Sequence, residues 1–299
     1  MVIILASMIF HVHLSANRRK GIVIEGFTYL RPASVEEAVD MLNIHEDARI
    51  LAGGTDLLVG LRDGASCKYI VDIKGIPKLN ILETTEEGLA VGGAVSLNKL
   101  LDSDLVSGCY LVLKDAGEAL ANHLLRNRAT LIGNLCNASP GGDMIGASLV
   151  LDGYIEAVSY EGTRNIPLSE FFTGVKKHTL RKNELAVRVV FPHGKGRGVY
   201  LKKKRIRGHD LAQVSLTAFR HDDGRLDVAL GAVAPTPILI KTVVEAGETA
   251  RVDKVIETVL GSINPISDVR SSREYRLAMV KHFICQSIGL LYGKEAAAE

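Results

Sequence analysis

Two loops rich in glycine and small polar residues carry the residue types best suited to binding a ligand. The first is Gly53-Gly54-Thr55-Asp56, which lies between a short β run at Arg49-Ile50-Leu51-Ala52 and an apolar helical turn at Leu57-Leu58-Val59. Two glycines after a strand allow a tight turn and leave backbone N–H groups unshielded by a Cβ atom, so that they can converge on a phosphate. Many strand-to-helix loops contain two glycines for steric reasons alone, and for this loop taken by itself both interpretations stay open.

The second loop runs from Asn127 to Asp143 and combines a hydroxyl residue, glycines, asparagines and an acid within a rather apolar stretch. Asparagine amides both donate and accept hydrogen bonds, which suits them to a ribityl chain or a flavin edge, and Asp143 can accept from ribityl or ribose hydroxyls. The alternative is a well-ordered structural loop. An apolar helix is predicted to follow it, up to Leu151.

The sharpest run of charge is Lys202-Lys203-Lys204-Arg205-Ile206-Arg207, on a predicted strand. Strand alternation places Lys202, Lys204 and Ile206 on one face and the other three residues on the opposite face. The run predicts a sheet edge that faces solvent or a partner, with one or two of its lysines serving an anionic ligand.

Composition argues against several classes of protein. The 299 residues include 36 Lys and Arg against 34 Asp and Glu, a net charge of +2, which disfavours a nucleic-acid binder. The four cysteines form no CxxC pair, which argues against a zinc ribbon or an iron–sulfur cluster on this chain and fits a reducing cytoplasm. We find no P-loop, GxGxxG, GxSxG or HExxH motif, and no apolar run approaches the ~20 residues of a membrane span.

The elements that must position the two loops are predicted from periodicity and turn signals. Ser34 and Glu37 form a capping box for a helix whose apolar face is Val35, Ala38, Val39 and Leu42. The region from Glu184 to Ala234 predicts a β-meander that Pro235-Thr236-Pro237 ends, followed by polar and helical sequence to Tyr292. The four strands of this meander are Leu185–Phe191, Gly198–Lys203, Leu211–Arg220 and Arg225–Val233.

With these features assembled, the sequence resembles the FAD-binding (medium) subunit of molybdenum hydroxylases, the group that includes xanthine dehydrogenase and aerobic carbon monoxide dehydrogenase. The resemblance extends from Phe27 to about Ala246 and is most specific in the two loops, in this order. It rests on Phe27–Ser34, Leu51–Leu57, Ala129–Pro140, Phe171–Gly174, Glu184-Leu185, Asp210–Ala212 and Gly231–Pro237.

The resemblance also implies roles for individual residues. The first loop would hold the FAD pyrophosphate and nearby groups through the backbone N–H groups of Leu51, Ala52, Gly53, Gly54, Thr55, Asp56 and Leu57. The other half of the cofactor would be lined by Thr130, Ile132, Gly133 and Asn134, with Asp143 bonding its polar part and with Leu185 and Lys202 approaching the flavin. Relatives usually have two adjacent glycines before the asparagine, and the branched side chain of Ile132 is expected to narrow the approach of the flavin or to alter the backbone.

The fold implied by the resemblance is α+β, with a two-lobed FAD-binding domain of the PCMH type and a smaller C-terminal α+β domain that contains the β-meander and helices. We expect an N-terminal extension over residues 1–21, the FAD-binding domain over 22–180 and the C-terminal domain over 181–299.

The function implied is electron transfer inside a complex. Substrate would be hydroxylated at a molybdopterin on a large subunit, and electrons would pass through [2Fe–2S] clusters on a small subunit to the FAD held here and then to NAD or a quinone. On this hypothesis the chain has no catalytic acid, base or metal of its own and is not active on substrate alone. Two alternatives stay open, a free-standing FAD-dependent oxidoreductase and a flavin-less scaffold subunit, the latter suggested by Ile132.

Overall fold

The computed structural model describes residues 10–12, 26–245 and 251–293, so most of the predicted extension, and Ala246, lie outside the described residues. Its strands are β1 (Phe10–Val12), β2 (Phe27–Leu30), β3 (Ala48–Leu51), β4 (Tyr69–Asp72), β5 (Leu82–Thr84), β6 (Gly88–Gly92), β7 (Tyr154–Ser159), β8 (Gly162–Pro167), β9 (Phe172–Gly174), β10 (Lys177–His178), β11 (Leu185–Pro192), β12 (Gly196–Lys203), β13 (Val214–His221), β14 (Leu226–Gly231) and β15 (Ile238–Val244). Its helices are α1 (Val35–Ile44), α2 (Leu57–Arg62), α3 (Leu97–Leu101), α4 (Leu111–Glu118), α5 (His123–Arg126), α6 (Leu131–Asn137), α7 (Asp143–Val150), α8 (Val252–Gly261) and α9 (Arg273–Tyr292). Among these helices, none combines the length and the apolar character needed to cross a membrane.

The first sheet places the first glycine loop at its carboxyl edge. Its order is β1-β2-β4-β3, and both β2 and β3 run parallel to β4, so that Leu51 and Asp72 end neighbouring strands side by side. The Ser34 half of the predicted capping box is confirmed, because the Ser34 side chain accepts a hydrogen bond from the Glu37 N–H and the apolar face of α1 is buried, while Glu37 Oε2 accepts from the Ala33 N–H instead of that of Ser34. The first glycine loop therefore follows a strand of a sheet against which the capped helix α1 packs.

The second sheet is antiparallel in the order β5-β6-β11-β7-β8, and it corrects the predicted meander. Its central strand is β11, which the sequence pattern places with the C-terminal strands but which pairs with β6 and β7. The reason is its apolar composition, since β11 is buried along most of its length and has partners on both sides. The second sheet continues to Pro192, beyond the domain boundary expected between residues 180 and 181. That boundary stays a prediction.

The third large sheet is a meander, β12-β13-β14-β15, with helices on both faces. On one face α4 packs against β12 and α7 packs against β13 and β14, while α9 packs against β12 and β13 on the other. The expectation that Pro235-Thr236-Pro237 ends the strands is wrong. Proline is disfavoured only inside a hydrogen-bonded strand, and β15 begins at Ile238, directly after these prolines, and pairs with β14.

An ion pair between a buried carboxylate and a partly exposed arginine joins the β7–β8 hairpin to the start of β11. Glu184 is buried, and its two oxygens accept from Nε and Nη2 of Arg164 at 2.7 and 2.8 Å. These hydrogen bonds hold the pKa of Glu184 below its usual range. A lowered pKa means that the pair stabilises the fold above the pKa of the unfolded chain, and that this stabilisation is lost as the pH falls through the folded value.

We therefore expect Glu184→Gln to lower the free energy of unfolding at pH 7 by about 2 kcal/mol, less than for a fully buried pair because Arg164 is partly exposed. Urea unfolding at pH 7 and at pH 4 measures this loss. The difference in the free energy of unfolding between wild type and variant should be smaller at pH 4. The matched control is Glu161→Gln, which removes an exposed pair with Arg181 and should cost no more than about 1 kcal/mol. A gap that does not depend on pH would contradict this assignment.

Candidate functional site

The first loop offers a row of backbone donors that the protein itself does not use. Gly54 has φ +77°, in the left-handed region that favours glycine. Within the described residues, the N–H groups of Gly53, Gly54, Thr55 and Asp56 donate no hydrogen bond. Successive free N–H groups around a glycine turn are the arrangement that binds a phosphate.

The second loop contains a helix that the sequence pattern does not predict. Thr130 caps α6, because its Oγ1 accepts from the Gly133 N–H at 2.9 Å, and α6 ends at Asn137. The chain then passes through Ala138 (φ +45°) into the residues that lead to α7. A seven-residue helix is not stable by itself, so packing against α7 and β11 is what forms it.

The structure brings the two loops into contact. A Cβ atom built on Gly53 would lie 2.1 Å from the carbonyl oxygen of Arg128, so only a glycine allows this approach. Close by, the Asn137 side-chain amide donates to Asp56 Oδ1 at 3.0 Å and joins the end of α6 to the end of the first loop. The two candidate loops therefore form one surface.

Ile132 does not project from this surface. Its side chain is only 5% exposed and lies in the main hydrophobic core, where Cδ1 approaches Gly93. The side chain does not face the surface formed by the two loops, because α6 turns it inward, and its expected effect on the flavin or on the backbone stays a prediction. What Ile132 offers to a ligand is its backbone N–H, which has no acceptor in the described part of the chain.

A buried ion pair lies at the end of the second loop, between Asp143 and Lys202. Lys202 Nζ lies 2.8 Å from Asp143 Oδ1, and the two side chains are 7% exposed for Asp143 and 4% for Lys202. Tyr200, on the same face of β12, donates to the same carboxylate at 2.6 Å. Burial raises the pKa of Asp143 above its usual range, while Lys202 and Tyr200 act in the opposite direction.

Two helix ends favour the charges of this pair. Asp143 is the first residue of α7, where the helix dipole stabilises an anion. Lys202 also donates to the carbonyl of Ala119 at 3.2 Å, directly after α4, where the dipole stabilises a cation. Tyr200 is a site residue that the sequence reasoning misses, although its spacing of two from Lys202 on one strand places both on one face.

Leu185 lies apart from the polar groups. It is 1% exposed and belongs to a hydrophobic cluster of α1 and the first sheet, against which Ala52, directly before the first loop, also packs. Leu185 therefore belongs to the hydrophobic cluster that packs against the strand end leading into the first loop. Two surface clefts, of about 380 and 460 Å³, contain none of the predicted site residues.

The donor set fits the cofactor that the resemblance implies. Unused N–H groups at a glycine turn suit a pyrophosphate, and Asn134 presents an amide whose Oδ1 accepts from the Met144 N–H at 3.3 Å. A buried carboxylate held by a lysine and a tyrosine suits a hydroxyl-rich chain. The unused N–H groups lie in a loop at the carboxyl edge of the first sheet, where ligand sites are common, and the side chains that complete the set lie on α6, α7 and β12.

Comparison with known proteins settles the family. Residues 25–194 match the family model of the FAD binding domain in molybdopterin dehydrogenase, and residues 200–289 match that of the CO dehydrogenase flavoprotein C-terminal domain. The chain belongs to the FAD-binding subunits of the molybdopterin dehydrogenases. FAD is thus the cofactor of this chain, and the α+β fold expected from the sequence is confirmed.

Relatives of this flavoprotein family cover nearly the whole chain. It is 30% identical over 285 residues to the xanthine dehydrogenase FAD-binding subunit of Escherichia coli O157:H7, an alignment covering 89% of this chain and 98% of the relative. It is 27% identical to the carbon monoxide dehydrogenase medium chain of Hydrogenophaga pseudoflava, over 90% of this chain and 98% of that one.

A solved structure agrees. Carbon monoxide dehydrogenase from Hydrogenophaga pseudoflava, in a form that lacks the Mo-pyranopterin moiety of the molybdenum cofactor, superimposes with a TM-score of 0.84 at 26% identity, covering 91% of this chain and 99% of that chain. This flavoprotein is thus one subunit of an oxidoreductase built from several chains.

The position of Ile132 leads to a testable result. We expect Ile132→Gly to lower the free energy of unfolding by about 3–5 kcal/mol, since it removes a buried side chain and places a glycine in a helix. Because the side chain points into the core, the variant should bind FAD no more tightly than wild type does. Thermal unfolding and FAD titration measure the two effects. Binding of FAD by the variant where wild type binds none would support the hypothesis of a flavin-less scaffold.

Proposed function

We propose that this chain holds FAD across the two loops and passes electrons from the [2Fe–2S] clusters of a small partner subunit to an acceptor such as NAD or a quinone. The observation that carries the proposal is the contact of the two loops, where Gly53 meets Arg128 and free backbone N–H groups line the first turn. The names of the relatives, a medium chain and FAD-binding subunits, support a place within a larger complex.

Each group has a task in binding. The N–H groups of Gly53 to Asp56 hold the pyrophosphate, and Asn134 and the N–H of Ile132 bind polar parts of the other half. Asp143, kept charged and oriented by Lys202 and Tyr200, accepts hydrogen bonds from hydroxyl groups of the cofactor. FAD supplies the redox chemistry when bound, and the protein contributes position and electrostatics.

No residue of this chain needs to act as a general acid or base. Substrate oxidation would take place at molybdopterin on a large subunit, which leaves this chain with binding and orientation. We also infer a reducing compartment such as the cytoplasm, because all four cysteines are free.

Co-purification under native conditions tests the proposal. The full chain is tagged in its own host, isolated gently, and examined by absorption spectroscopy, metal analysis and identification of the bound chains. We expect flavin bands, iron and molybdenum, together with one larger and one smaller subunit. Rapid mixing with NAD or with a quinone then identifies the acceptor that reoxidises the reduced complex.

Two results would contradict the proposal. One is a preparation that lacks flavin absorbance even after FAD is added. The other is turnover of a substrate by this chain alone with no partner subunit, which is the behaviour of a free-standing flavoenzyme.

A further inference from the structure

Arg276 is a buried cation that ties together the ends of two strands from the opposite face of the third sheet. It lies in the first turns of α9 and is 3% exposed. Its Nη1 donates to the carbonyl oxygens of Gln213 at 2.5 Å and of Ala232 at 2.6 Å, which flank β13 and β14. Its Nη2 donates to Asp268 Oδ1 at 2.7 Å. A charged group this deeply buried is costly unless these partners hold it in place.

The strand ends that Arg276 holds are in contact with the second loop. The N–H of Ala232 donates to the carbonyl of Pro140 at 2.7 Å, and Ala232 has φ +61°, a conformation that a non-glycine residue keeps only when its surroundings impose it. Next to it, a Cβ atom on Gly231 would lie 3.1 Å from the same Pro140 oxygen. Beside Gln213, the backbone of Ala212 is in contact with the Cβ position of Gly141.

The loop in turn holds the candidate cofactor groups. The Gly142 N–H donates to the carbonyl oxygen of Ser139 at 2.9 Å, which shapes the turn into α7 and sets the position of Asp143. Asn134 accepts from the Met144 N–H at 3.3 Å, so the same turn also orients Asn134. A shift of Pro140 would therefore move both groups.

We propose that Arg276 is a positioning residue for the cofactor site, acting through Ala232 and Pro140 on the second loop. This inference rests on the proposed function, since it concerns how tightly and in what orientation FAD is held. It makes α9, a helix on the other face of the sheet, a determinant of cofactor affinity.

Two variants with a larger and a smaller expected effect on FAD affinity test the positioning role. Each is made in the full chain and purified together with the subunits that bind to that chain. Arg276→Lys keeps the charge but loses the planar guanidinium that serves both carbonyls, and we expect the FAD dissociation constant to rise by about 10-fold or more. Asp268→Asn keeps the arginine and removes the charge of its partner, whose Oδ1 also accepts from the N–H groups of Arg270 and Ser271, and a rise of about 2- to 5-fold is expected. The visible circular dichroism of bound flavin should change in both, because the orientation of its surroundings changes.

The matched control is Val280→Ala, one turn further along α9. Val280 is fully buried in the C-terminal core, so its truncation lowers stability without touching the strand ends. Titrations are made at a temperature where circular dichroism shows every variant folded. The control should keep the wild-type FAD affinity and flavin spectrum.

The outcomes separate the two proposals. If wild type itself takes up no FAD, the proposed function fails. If wild type binds FAD and Asp268→Asn and Arg276→Lys both keep its affinity and spectrum, the positioning role is refuted. Loss of affinity in proportion to lost stability, in Val280→Ala as much as in the others, refutes it too. If Arg276→Lys does not fold, Asp268→Asn decides.

Discussion

Replacing Gly53 by alanine is expected to abolish the retention of FAD by the purified protein. The new Cβ atom would lie 2.1 Å from the carbonyl oxygen and 2.8 Å from the carbonyl carbon of Arg128, and both atoms are backbone that no rotamer change can move aside. Since carbon atoms approach to about 3.5 Å at the closest favourable distance, the loops must separate by about 1 Å. The N–H groups of the first turn are then displaced relative to the second loop by the same distance.

The expected loss of FAD affinity in Gly53→Ala follows from the hydrogen bonds that the displaced first turn can no longer donate to FAD. Hydrogen bonds to a charged group contribute about 1.5–3 kcal/mol each, so the loss of two raises the dissociation constant by about 10²-fold or more. The added methyl group should also cost about 1–3 kcal/mol of folding stability through overpacking. FAD titration by fluorescence quenching and urea unfolding of the same preparations measure both.

Gly60→Ala is the matched control. Gly60 lies in α2, directly after the same loop, and a Cβ atom there meets only Ala65 Cβ, at 3.9 Å. Alanine should therefore raise stability by about 0.5–1 kcal/mol through its helix propensity and leave FAD affinity unchanged. Wild-type affinity in Gly53→Ala would show that the approach of the two loops is not needed for cofactor binding.

The features that the sequence predicts correctly depend on residues close together in the chain. The capping box at Ser34 needs only Glu37 three residues away, and the Gly53-Gly54 turn needs only the strand before it. In each case the physical cause is complete within a few residues, so the pattern itself is sufficient.

The features that the sequence does not predict depend on packing between distant segments. The pattern of β11 identifies a strand but cannot identify its partners, which lie about 30 residues or more away on β7 and still further on β6. Helix α6 forms only because α7 and β11 cover it, and without the helix the inward direction of Ile132 cannot be inferred. The sequence identifies Asp143 and Lys202 as separate candidates, but their pairing depends on how α7 lies on the third sheet.

Because Asp143 and Lys202 are paired, the substitution Lys202→Met is expected to cause a large loss of folding stability. The substitution leaves Asp143 buried without its cation, and breaking a buried pair in this way costs about 3–5 kcal/mol. The pKa of Asp143, already raised by burial, should rise further because Lys202 opposes that rise. An acid whose folded pKa is raised loses stability as the pH rises from the unfolded pKa through the folded value, so the deficit of the variant should be smallest near pH 4 and larger at pH 7.

A matched pair for comparison is Lys241 with Asp152, 2.6 Å apart but with both side chains 51% exposed. Lys241→Met should change the free energy of unfolding by no more than about 1 kcal/mol, with little dependence on pH. Urea unfolding between pH 4 and pH 7 makes the comparison. Equal and small effects at the two lysines would contradict the burial of the Asp143–Lys202 pair.

The double variant Asp143→Asn with Lys202→Met separates folding from cofactor binding. Removing both charges removes the cost of an unpaired buried ion, so stability should return to within about 1–2 kcal/mol of wild type. FAD affinity should not return, because the charged acceptor proposed for the hydroxyl groups of the cofactor is still missing. Recovery of stability together with FAD affinity would assign the pair a structural role only, whereas recovery of stability alone would support its role in binding FAD.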